Sequence, residues 1–380
     1  MADQPSTAFD PSFQPADLDR DQLAVLLREW LLHGHLQDRV GIPLLYQYGV
    51  DREGAEQIAI DEWAGASPLY SVRMQDTLGF RGQTVDVILK NLQLDIGSPP
   101  QYMDFRLKYI DDDHAEFWLA HCGALMDVEP MGEEWVHGMC HTIEDPTFDA
   151  TAAATSPFAV MRPIHRPPRT PADRMPHCAW RIDIDPTTTP AQAHPNLAIV
   201  AASVAGGRPV VAIAAETDPV GRVGYADTFD PDLRFEDFSH ATLVAILNEV
   251  ALQSHLLLRS YLLSVSERVS PEVAAEVGPR ILTGVAPITA QRLARAFGIT
   301  GTDASAIARI VQVHPSFQPP GYVTPRVSMP DASTVRFALA ASPVFEEADD
   351  LAWLAGLTDA TDRSIGALVR GINPKARATL

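Results

Sequence analysis

Basic residues are scarce: 29 Lys and Arg stand against 49 Asp and Glu, a net charge of −20 over 380 residues. A surface of that sign repels a phosphate backbone, so nucleic acid is not expected as a partner. Cysteine is rarer still; three residues are too few for a disulfide framework, and an odd count leaves a thiol over. Reduced thiols and a cytoplasmic location are the expectation. No uncharged run approaches a membrane span, and the amino terminus has no basic stretch followed by an apolar one, so no membrane partner is expected. There is no Gly-x-Ser-x-Gly elbow, no Cys-x-x-Cys and no EF-hand loop, and Gly206-Gly207 lacks the lysine and helix of a phosphate loop.

What the chain does contain is a second version of itself. At a shift of 220, Leu23, Leu27, Glu29, Leu32, His35, Leu36 and Arg39 face Leu243, Leu247, Glu249, Leu252, His255, Leu256 and Arg259. The order then continues through Gln93 and Gln312, Tyr102 and Tyr322, Phe117 and Phe337, Trp135 and Trp353, and Gly138 and Gly356. The period is far too long for a solenoid and points to a duplicated domain, a covalent pseudo-dimer packed about a local twofold. The expected fold is α+β: each copy has helices, an antiparallel hairpin and a following helix. Residues 1–8 read as a flexible arm, 9–163 as the first repeat, 164–228 as a Pro/Arg-rich connector with added strands, and 229–380 as a degenerate second repeat. Within the connector, Trp180 to Ile184, Leu197 to Val204 and Val210 to Ala215 read as strands.

The copies differ where reactive side chains cluster. His121, Cys122, His137, Cys140 and His141 face Ala341, Ser342, Ala355, Thr358 and Asp359. His137 and His141 are four apart on one helical stripe, with Glu144 one turn on, a spacing at which imidazoles and a carboxylate can meet one Zn or Fe ion. The Glu that a zincin carries after its first His is missing, which removes a metalloprotease reading. Two mechanisms are open. Cys140 or Cys122 is a nucleophile activated by imidazole, with Glu144 or Asp145 orienting the base; or His137, His141 and Glu144 hold a metal that activates water. His165, His177 and Cys178 join this set if the connector folds back. Glu29, His35 and Arg39, kept in both copies, read as scaffold that satisfies itself or the pseudo-twofold interface. His114 and His314 read as exposed. The run Arg162, His165, Arg166, Arg169 and Arg174, interleaved with prolines, reads as a solvated connector or as an arm for an anionic group.

The stretch from Phe117 to Asp145, with Cys122, the Gly132-Glu133 segment and Cys140 followed by Glu144 and Asp145, resembles the L-2-amino-thiazoline-4-carboxylate hydrolase-like family and uncharacterised actinobacterial relatives. Ile143 stands where that family usually has its Asp. The resemblance implies a hydrolase that opens a small nitrogen heterocycle at a carbon-nitrogen bond, with Cys140 and a nearby carboxylate in its site. The alternative expectation is a protein that binds a small molecule, a metal or a tetrapyrrole without turnover; homo-oligomerisation is left open.

Overall fold

A computed structural model describes residues 9–339, 341–355 and 362–379. The amino-terminal arm and positions Gly356, Thr358 and Asp359 lie outside the described residues. Helices and antiparallel sheets are combined, an α+β architecture. The first half runs α1 (Arg20–Leu45), α2 (Arg52–Leu78), α3 (Val85–Leu92), β1 (Met103–Tyr109) and β2 (His114–Cys122). Short helices α4 (Gly123–Val128) and α5 (Glu133–His137) follow, then a π-helical turn (Gly138–Ile143) and α6 (Glu144–Ala153). Strands β3 (Ala159–His165) and β4 (Cys178–Ile184) lead to α7 (Pro195–Ala201). The second half runs α8 (His240–Arg268), α9 (Pro271–Ala296), α10 (Ala304–Val313), β5 (Arg326–Asp331), β6 (Thr334–Ala338) and α11 (Asp362–Ile372).

Local chemistry starts both long leading helices. Asp19 caps α1 by accepting the Gln22 amide, and Ser239 caps α8 by accepting that of Thr242. Leu23, Leu27 and Trp30 on α1, and Leu243, Leu247 and Val250 on α8, are buried in one core that α2 and α9 complete. Each such side chain contributes about 1.5–3 kcal/mol relative to exposure. Helix α8 is apolar and long enough to cross a membrane, but here it is the central element of this core.

Contacts between the halves come in reciprocal pairs. Arg73 of α2 reaches both Glu249 oxygens, and Arg292 of α9 reaches both of Glu29 through the same two nitrogens. The Gln93 amide donates to the Asp230 carbonyl and the Gln312 amide to that of Asp10, each at 2.7 Å. The Trp30 indole donates to the Val313 carbonyl at 3.0 Å. The Arg–Glu and Gln–carbonyl contacts are thus reciprocal at shifts of 219 and 220, whereas the Trp30 bond is one-way, because Val250 at the matching position has no side-chain donor.

The sheets are unequal. Among the described residues the first half has four strands in the order β1-β2-β4-β3, whereas β5 and β6 pair only with each other. The connector folds back to supply β4, so the expected Trp180–Ile184 strand is present. The other two connector strands are not. Leu197 to Val204 begins in α7, because Pro195 occupies the first turn and His194 caps it by accepting the Asn196 amide. Val210 to Ala215 forms no ladder; Arg73 binds the Arg208 and Pro209 carbonyls and Glu249 accepts the Val211 amide, fixing this backbone from the side.

Candidate functional site

A cavity of about 90 Å³ lies in the first half between α1, α2, β1, α6 and the π turn. Each element contributes one stripe. His35, Asp38 and Arg39 are spaced i, i+3, i+4 on α1; Ala59 and Trp63 are one turn apart on α2; Met103 and Phe105 share a face of β1; Glu144, Thr147, Phe148 and Thr151 come from α6. The π turn brings Met139 and Ile143 to the wall. It can lie this close to α2 because residue 138 is glycine: a Cβ there would sit 2.2 Å from Glu56 Oε1. π turns recur at functional sites because they re-aim the side chains after them.

Four polar atoms of this lining are buried without any hydrogen-bond partner: His35 Nδ1 and Nε2, Asp38 Oδ1 and Glu144 Oε2. Buried polar groups in native proteins are nearly always paired, so these four atoms are the ones in the lining free to bond a water or a bound molecule. The Ile96 backbone approaches His35 but lies outside hydrogen-bonding geometry. Arg39 donates through Nε to Asp38 at 2.9 Å. Glu62 packs behind Asp38, and burial together with that neighbour raises its pKa well above the ordinary range. Burial lifts the Glu144 carboxyl to about 8, with Arg166 and Arg39 opposing and Asp145 assisting. It lifts Asp95 to about 6, against hydrogen bonds from the Gly97 amide and the Tyr70 hydroxyl. It lowers His35 to about 4. At neutral pH the cavity therefore holds a protonated Glu144, an ionised Asp95 and a neutral His35.

Of the residues singled out from the sequence, Glu144 lines the cavity. Cys122 and Cys140 are buried in the apolar cluster behind it, together with Cys178. Cys122 Sγ accepts the Leu125 amide at 3.3 Å and lies 3.8 Å from Met103 Sδ. Burial, and after it the Glu144 charge, pushes the Cys122 thiol up to about 12 and raises Cys140 and Cys178 in the same direction. These are thiols at neutral pH, and a thiolate is what nucleophilic attack requires. His137 is exposed and stacks on His141 at 4.2 Å, while His141 Nε2 donates to the Pro167 carbonyl at 2.8 Å. Asp145 turns outward to Arg166 at 2.5 Å, and His121 is exposed. The π turn thus separates His137 and His141 from Glu144, which the even spacing of a plain α-helix would have kept on one stripe. Among the described residues no three His, Cys, Asp or Glu side chains converge as a metal requires. The first-copy His, Cys and acidic residues do not fit a Zn or Fe site.

The Pro/Arg run is a strap rather than a free arm. Arg166 binds Asp145, Arg169 binds Glu129 through two nitrogens, and His177 Nδ1 accepts the Cys122 amide. His114 is exposed as expected, but His314 is fully buried, its Nε2 3.3 Å from the Ala286 carbonyl and its Nδ1 accepting the Ser316 amide. Glu29 does serve the contact between halves. His35 and Arg39 instead line the cavity, and with Asp38 and Asp95 they are the site residues that sequence reasoning missed. One signal was present: Asp38 faces Leu258 and Trp63 faces Leu282 across the two copies.

No protein-family model matches the chain, and no curated protein or solved structure matches it.

Proposed function

We propose that the first-half cavity is the active site of a hydrolase acting on a carbon-nitrogen bond of a small nitrogen heterocycle. The observation that carries this reading is the set of unpartnered buried polar atoms of His35, Asp38 and Glu144 facing one apolar space. At about 10–15 Å³ per water-sized group, 90 Å³ admits roughly six to nine non-hydrogen atoms, enough for a substituted five-membered ring and short of a tetrapyrrole.

Two carboxyl groups displaced to either side of neutrality divide the proton work. Asp95 takes a proton from water as its oxygen attacks the carbon of a C=N unit. Glu144 gives its proton to the ring nitrogen in the same addition; the proton on Asp95 then passes to that nitrogen as the C–N bond breaks, and the new hydroxyl returns its proton to Glu144 as it becomes the carbonyl. Arg39 holds an anionic substituent, and neutral His35 supplies a donor and an acceptor that orient the ring. This assignment keeps the reaction class implied by the sequence resemblance and moves the chemistry from the thiols to the carboxyls.

The reading also takes the two halves as products of a duplication, in which the second copy lost the pocket and kept the interface. The reciprocal Arg73–Glu249 and Arg292–Glu29 pairs support this. The test is to incubate the purified chain with 2-amino-thiazoline-4-carboxylate and a panel of cyclic amidines and ureides, following ring opening by mass spectrometry. Turnover should be greatest between pH 6 and 8 and fall about 10²-fold or more in Glu144→Gln. Turnover unchanged in Glu144→Gln would end the assignment; ligand protection without turnover would leave a binding protein.

A further inference from the structure

The second half holds a larger cavity, of about 540 Å³, between α10, β6, α11 and the segment that follows α11. Its origin is visible by comparison. In the first half, Trp180 of β4 stacks on Phe117 of β2 with centroids 6.0 Å apart, and Phe148 of α6 closes on Trp180 at 4.9 Å. Phe337 stands in β6 at the position of Phe117, but no third strand pairs with β6 among the described residues. The second half thus has helix α11 at the place of α6 but, among the described residues, no strand at the place of β4.

The walls are apolar, from Ile307, Val311, Phe337, Leu368 and Val369, and Phe337 remains partly accessible. The mouth carries Lys375 and Arg377, both exposed. No Asp or Glu belongs to the lining, in a chain where acids outnumber bases 49 to 29. Lys375 and Arg377 are the charged residues of the lining. An apolar interior with two exposed positive side chains in its lining is complementary to a single-chain amphiphile with an anionic head. At about 10–15 Å³ per water-sized group, the volume accommodates a chain of a dozen carbons or more.

We infer that this cavity binds a fatty-acid-like carboxylate, its chain between α10, β6 and α11 and its head at Lys375 and Arg377. The site is independent of the first-half cavity, whose 90 Å³ is too small for such a chain.

Equilibrium dialysis with labelled dodecanoate, below its micellar concentration, tests this on the full chain. One dodecanoate per chain is expected, with at least tenfold weaker binding in the surface double variant Lys375→Glu/Arg377→Glu and at least tenfold weaker binding of dodecylamine. Val335→Trp, which fills the cavity from half-buried β6, should abolish binding while circular dichroism stays unchanged. Arg39→Ala should bind dodecanoate as the parent does. Absence of binding, equal affinity for dodecylamine, or loss in Arg39→Ala with retention in the charge-reversal variant would each overturn the assignment. Displacement of dodecanoate by an extended acidic peptide with no affinity dependence on chain length would make the groove a strand-docking edge instead.

Discussion

His35 and His255 occupy matching places in the two halves, and their surroundings differ in one informative respect. Each ring lies against a tyrosine, Tyr102 at 5.0 Å and Tyr322 at 5.1 Å. Each of those tyrosines donates its hydroxyl to an acid, Asp127 in one half and Glu347 in the other. Yet His255 Nε2 donates to the Gln318 carbonyl at 2.7 Å, whereas His35 has no partner. Around His255 the space shrinks to about 20 Å³, with Leu258 and Leu282 where the first half has Asp38 and Trp63. The His255 ring is thus satisfied within the protein and the His35 ring is not.

The largest effect should come from breaking one of the reciprocal ion pairs. Arg73 and Glu249 are almost wholly buried, whereas Arg292 is about a third exposed. Arg73→Ala leaves Glu249 charged and unpaired and should cost about 3–5 kcal/mol in urea unfolding. Arg292→Ala should cost about 1 kcal/mol. Equal costs would show that the halves bear the interface equally, against the geometry.

The histidines come next. His255→Leu strands the Gln318 carbonyl and should destabilise by about 1–3 kcal/mol, while His35→Leu removes an unsatisfied polar group and should be neutral or stabilising. A large loss in His35→Leu would mean that the ring is structurally committed and would weaken the cavity as a ligand site.

The pH dependence separates the halves in another way. The unfolded chain ionises Glu144 from its ordinary 4.5 upward, but the folded chain holds the proton to about 8. The unfolded state therefore binds fewer protons across that window, and this group withdraws stability as the pH rises from 4.5 to 8. Glu144→Gln should flatten the slope and gain on the parent most at pH 8, read from urea midpoints. His35, His255 and His314 act oppositely: burial holds them near 4, so stability falls as the pH drops from 6.5 toward 4 in parent and variant alike.

The smallest effect tests equivalence itself. Gln93→Ala and Gln312→Ala each remove one bond to the opposite half and should cost about 0.5–1.5 kcal/mol apiece, adding when combined.

Much of this was legible in the sequence. The leucine spacing in α1 and α8, the hairpins and the strand from Trp180 to Ile184 all follow from local pattern. The cavity was not, because it depends on which retained residues face a partner. Comparing copies marks His35 as kept but cannot report that Gln318 satisfies His255 while nothing satisfies His35. The π turn was equally hidden: one inserted residue after Gly138 turns Glu144 inward and leaves His137 and His141 outside, and helical spacing cannot register it.

The bond from Trp30 to the Val313 carbonyl spans 283 positions of chain. A ribosome adding about 5–20 residues per second needs roughly 15–60 s to make that stretch, and throughout it the apolar face of α1 has no completed partner. Helix α1 is synthesised well before the helices that cover it. A nascent-chain chaperone would find its binding segment there, and truncated chains ending before α8 should aggregate rather than fold as a free first half.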